Sequence, residues 1–144
     1  MGKAIFREEN IVLGAKAADK WQAIRMCGQI LVDQGYVTKE YIEDMIAREE
    51  GATVYVGNHV AIPHGVANSE SNIIESGISF LQVPDGIEFG SEKAYMLIGI
   101  AGKDGSHIEI LGNIAMICSD MDNVMKLKET TQVKEVYNIF SEML

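Results

Sequence analysis

The chain has 144 residues, is 47% hydrophobic and 23% charged, and carries twelve basic against twenty-one acidic side chains, a net charge of -9. That length suits one ordinary domain, spanning 1–144, with a full hydrophobic core, and the apolar runs are too short to span a bilayer. The acidic excess opposes attraction to nucleic acid or anionic lipid. The first residues, MGKAIFREEN, lack the apolar stretch of a secretory signal, and two cysteines lie within apolar helical patterns, so a cytoplasmic location without disulfides is expected.

In chain order, Asp19 is placed to cap a helix whose Trp21, Ile24, Cys27 or Gly28, and Leu31 recur at helical spacing, with Gly35 where such a helix would end. Thr38 is expected to begin a second helix with Tyr41, Ile42, Met45 and Ile46 on its inner face, closing at Gly51. VYV (54–56) and HVAI (59–62) read as short strands around a Gly57-Asn58 turn. GISFLQV (77–83) and AYMLIGIA (94–101) are stronger strands, the second apolar enough to be covered on both faces. Between them, PDGIEFGS has the turn residues of a connection, with room for a brief strand at its middle. A third helix follows KDGS, with Ile108, Leu111, Ala115 and Cys118 expected inward; a short helix near 122–128 and another carrying Val133, Val136, Tyr137 and Phe140 close the chain. This mixture predicts a single-domain α/β sandwich with helices covering a sheet.

Candidate chemistry centres on GNHVAIPHG (57–65). Pro63 has no N–H for a ladder, so the strand before it should stop or become an edge, presenting His64 at a sheet rim with Gly65 letting the chain turn. A lone loop histidine is most often unremarkable. Two other residues change its weight. Arg48 stands near the end of the preceding helix, and His107 falls in the first turn of the third, near unpaired N–H groups that favour an anion. Brought together, the three make a phosphate-binding site containing a nucleophile.

Other sites fare less well. His59 and His64 are five positions apart and would face opposite sides of an extended segment, so a metal site is not expected. Cys27, Cys118, Trp21 and the methionines read as packing. The glycines of GIAGKDGS lack the spacing of a nucleotide-binding loop, and no cofactor is expected.

The run from Glu49 through Val56, Gly57, Val60, Ala61, Ile62, Pro63, His64 and Gly65 resembles the phosphohistidine signature of the mannitol/fructose-type enzyme IIA proteins of the bacterial phosphoenolpyruvate-dependent sugar phosphotransferase system. The similarity extends through ENIVLG, DQGYVTKEYIEDMIAREE, GISFLQVPDGIEFG and HIEILGNIA, and the mannitol branch is the nearest in character. The resemblance implies a mixed sheet of about five strands with helices on both sides. It implies that His64 accepts a phosphoryl group, as a tele-phosphohistidine, from the phosphocarrier protein HPr. The group then passes to a cysteine on the IIB domain of a membrane permease. His107 and Arg48 match the family's supporting pair. It also implies a monomeric carrier without membrane insertion, with a fructose-type or a nitrogen-type regulatory IIA protein as alternatives. The nearest acidic residues for steering a basic partner are Glu49, Glu50 and Glu109.

Overall fold

The computed structural model describes residues 4–142. Its elements are β1 (Ile11–Val12), α1 (Lys20–Asp33), α2 (Glu40–Gly51), β2 (Tyr55–Gly57), β3 (Val60–Ala61), β4 (Gly77–Phe89), β5 (Glu92–Ala101), α3 (His107–Cys118), α4 (Met121–Glu129) and α5 (Val133–Ser141). The strands form one five-stranded sheet in the order β1-β4-β5-β3-β2. Pairing is parallel for β1 with β4 and for β3 with β5, and antiparallel for β4 with β5 and for β2 with β3. The mixed sheet expected from the sequence is the one observed.

Strand β5 explains why helices lie on both faces. Met96, Ile98 and Ile100 join one buried cluster with residues of α3, α4 and α5, while Leu97 and Ala101 join another with residues of α1 and α2. A strand with no polar face must be covered twice. The polar exceptions in the neighbouring strand are satisfied. The Ser79 hydroxyl donates to the Cys27 carbonyl at 2.9 Å, and the Gln82 amide reaches the carbonyls of Leu127 and Thr130 at 3.0 and 2.9 Å, fastening the end of α4 to the sheet. Cys27 and Cys118 are both free and buried, and burial pushes each thiol up to about 12, so both behave as small hydrophobes.

Helix α1 begins as the sequence predicts, with the Asp19 carboxylate accepting the Gln22 N–H at 2.9 Å, and Gly35 follows its end at φ +83°. Helix α2 differs. Its N-cap is Lys39 without a side-chain cap, and the Thr38 hydroxyl makes no hydrogen bond among the described residues. Thr38 instead lends its carbonyl to the Tyr41 N–H at 3.0 Å, so the turn closes through the backbone.

Two further expectations are corrected. PDGIEFGS is not a connection: β4 continues through it to Phe89, with an irregularity between Gln82 and Ile87, and the chain reverses at Gly90-Ser91. Pro84 sits within that irregularity, where no ladder N–H is required of it. The face of α3 is also rotated from expectation. Ile110, Ile114, Ile117 and Cys118 are buried, whereas Ala115 is exposed, Leu111 is half-buried and Ile108 is 70% exposed. This helix is apolar around most of its circumference, so periodicity alone admits more than one inward face. The short β1 was not foreseen either, since two residues carry no period.

Candidate functional site

The regular part of β3 stops at Ala61, before Pro63, and pairing resumes for one residue as a parallel bridge between His64 and Ile100. The Ile100 N–H donates to the Pro63 carbonyl at 2.9 Å, so the ladder uses only the acceptor that proline retains. His64 thus stands half-buried at the end of a strand whose neighbour, β5, is buried from Met96 to Ala101. Its Nδ1 lies 2.8 Å from the Ile62 carbonyl. A carbonyl only accepts, so Nδ1 carries the proton and Nε2 keeps its lone pair.

His64 opens onto a cleft of about 740 Å³ whose walls include Arg48, His107, Tyr41, Gly65, Ile108 and Leu111. All three residues singled out from the sequence therefore meet in one place. Arg48 comes from the last turn of α2, and its guanidinium donates to the Ala52 carbonyl at 2.6 Å, which curls the side chain over its own helix end. His107 opens α3, whose N-cap Ser106 offers no side-chain hydrogen bond to the end amides; the Ser106 hydroxyl donates instead to the Lys103 carbonyl at 2.8 Å. The positive end of a twelve-residue helix is thereby turned to the cleft beside the ring. Gly102 lets this happen by close approach, because a Cβ there would collide with the backbone and Cβ of His107.

Electrostatics favour a neutral His64 ring. Burial is the main cause holding the His64 pKa below its ordinary 6.5, and the nearby Arg48 and His107 push the same way, against the Ile62 carbonyl, which favours the charged ring. The sign follows directly. With the folded value depressed, protonation below pH 6.5 costs more in the folded chain, so stability is full above 6.5 and falls as pH drops through the folded value. An NMR titration of the His64 ring is expected to show a midpoint below 6.5, and Arg48→Ala is expected to move it upward. A parent midpoint at or above 6.5 would contradict the burial that sets it.

Glu49 is corrected as a steering residue. It is 5% exposed, accepting the Val54 N–H at 2.7 Å and the Lys20 ammonium at 2.9 Å, and so belts the end of α2 to the segment leading into β2. Its carboxylate is thus engaged within the fold and unavailable to a partner. Glu50 and Glu109 are exposed. Glu49→Ala would strand a buried N–H and a half-buried ammonium, and is expected to cost about 1–3 kcal/mol in chemical denaturation. His59 lies apart from the cleft, edge-on to Tyr95 with ring centroids 5.1 Å apart, at φ +70°. Among the described residues, no group of three or more His, Cys, Asp or Glu is arranged to hold a metal ion, and no helix is long and apolar enough to cross a membrane.

Tyr41, expected from the sequence only as a core residue of α2, also reaches the cleft. Its hydroxyl accepts the Gly65 N–H at 2.9 Å and donates to the Ile100 carbonyl at 2.8 Å, which ties α2 to the residue after His64. An aromatic at helical spacing signals only packing, so no local pattern marked it.

Fold and cleft together define an α/β protein with a neutral imidazole at an anion-ready site, the class to which phosphoryl carriers belong. The chain belongs to the family described as phosphoenolpyruvate-dependent sugar phosphotransferase system, EIIA 2, whose model matches residues 4–143. It is a phosphotransferase component of that system. It is similar to the mannitol-specific phosphotransferase enzyme IIA component of Geobacillus stearothermophilus, at 44% identity over 99% of both chains. The counterpart in Bacillus subtilis is 41% identical over 96% of this chain and 98% of its own. Among solved structures, the complex of enzyme IIAMTL and phosphorylated enzyme IIBMTL from Escherichia coli matches with a TM-score of 0.90 at 36% identity, covering 95% of this chain and 97% of that one.

Proposed function

We propose that His64 is the phosphoryl carrier of a mannitol uptake system, taking the group from phospho-HPr and giving it to the cysteine of a IIB domain in the cytoplasm. The observation that carries the reading is the His64 ring itself, held by the Ile62 carbonyl through Nδ1 and lining one cleft with Arg48 and His107. The Nε2 lone pair forms the new N–P bond as the bond to the HPr histidine breaks, and the proton on Nδ1 stays where it is. In the return step a IIB thiolate attacks phosphorus and Nε2 leaves with its electron pair. Arg48 and the amide end of α3 beside His107 suit the charge that spreads over the phosphoryl oxygens during transfer.

The exposed Ile108 and half-buried Leu111 give the rim of the cleft an apolar character, suited to brief encounters with two different proteins at one histidine. The mannitol reading rests on the names of relatives at 41% and 44% identity, and the solved IIA–IIB complex supports a IIB partner. No observation favours the regulatory alternative. Incubation with phosphoenolpyruvate, enzyme I and HPr is expected to label the chain with an acid-labile, base-stable phosphate. A mannitol IIB domain should then discharge it faster than a fructose IIB domain. A chain that stays unlabelled, or a label that no IIB domain removes, would defeat the proposal.

A further inference from the structure

Tyr41 belongs to the core by its ring and to the cleft by its hydroxyl, being only 2% exposed while lining the same cavity as His64. In a parallel ladder, the residue after a bridged one donates to the carbonyl that faces the bridge. His64 pairs with Ile100, and the Ile100 N–H reaches the Pro63 carbonyl, so the next rung would run from the Gly65 N–H to the Ile100 carbonyl. The Tyr41 hydroxyl occupies that rung, accepting from Gly65 at 2.9 Å and donating to Ile100 at 2.8 Å. The geometry points to Tyr41 as a positioning residue for phosphoryl transfer: its hydroxyl, bonded to both the Ile100 carbonyl and the Gly65 N–H, ties the chain after His64 to β5 and fixes the imidazole over the cleft.

Three features support this. The hydroxyl must remain protonated to donate and accept at once, and burial pushes it up to about 12. The chain is pressed against the ring, since a Cβ on Gly65 would lie 2.7 Å from Tyr41 Cε1 and collide with the Ser69 hydroxyl. Finally, His64 is gripped from both sides in sequence, by the Ile62 carbonyl on its ring and by Tyr41 on the following amide. With the second grip gone, the ring can leave the carbonyl that fixes its tautomer, and Nε2 is then the available nucleophile only part of the time.

The inference deepens the reading of His64 as acceptor and rests on it for its kinetic consequence. Tyr41→Phe keeps the ring and removes the hydroxyl. In the parent, the ¹⁵N spectrum of the His64 imidazole is expected to show one tautomer, protonated at Nδ1, and in the variant to move toward the average of two. Acceptance from phospho-HPr should slow about tenfold in kcat with KM for phospho-HPr held, as expected for lost positioning and not lost docking. The imidazole spectrum needs no phosphoryl transfer, so failure of the acceptor assignment and failure of this inference are separable. An unchanged spectrum or a parent rate in Tyr41→Phe overturns the inference, whatever happens to its melting temperature. Should the variant not fold, amide exchange in the parent decides: the Gly65 amide is expected to exchange at least about tenfold more slowly than that of exposed Ala67, and equal rates would overturn the clamp.

Discussion

Replacing His64 with alanine is expected to abolish phosphoryl acceptance from phospho-HPr while leaving the domain folded. The side chain is half-buried at a strand end and its ring is bonded to the Ile62 carbonyl, so truncation removes little packing. The expected stability loss is about 1 kcal/mol or less, readable in denaturant unfolding. The loss of acceptance is expected to be complete because the proposed acceptor atom, Nε2 of His64, is removed. Arg48 is a cation without a lone pair to offer, and His107 stands on a different element, at the start of α3. Labelling that persists in His64→Ala with the lability of a phosphohistidine would move the acceptor to His107 or His59.

The second large effect concerns charge. Arg48→Ala and His107→Ala are each expected to slow transfer to a purified IIB domain about a hundredfold, the magnitude of losing one preorganised donor, or roughly 3 kcal/mol. Labelling of His64 should still go to completion in both, more slowly. In the proposed site the two side chains serve the same phosphoryl oxygens, so the double variant is expected to lose less than the product of the two single effects. Arg48→Ala also frees the Ala52 carbonyl at the end of α2, and a melting curve separates that structural cost from the kinetic one. Parent rates in both single variants would place the charge-stabilising groups elsewhere.

Glu49 shows how the tertiary structure reassigns a residue that resembles a functional one. In the sequence it is an acidic side chain near the candidate nucleophile, ready to steer a basic partner. In the fold it is buried under Lys20 and bonded to the Val54 amide, so the acid joins the end of α2 to the segment before β2 and does not meet a partner.

Much of this protein follows from local chemistry alone. The Asp19 cap, the glycine beyond α1, the unbroken apolar run of β5 and the Pro63-His64 stop each express a constraint acting within a few residues, and each is met in the fold. His64, Arg48 and His107 were legible because their types and places at element ends suit anion chemistry, and the family pattern around His64 gave them an order. Only the tertiary structure decided the rest. The inward face of α3 depended on which side of an apolar helix met the sheet; the passage of β4 through PDGIEFGS depended on β5 lying beside it to repair the pairing. The Tyr41 clamp joins residues 41, 65 and 100, which no window of sequence contains together. Long-range pairing has no local signature, because the partner that satisfies a backbone or side-chain group is chosen when the elements pack.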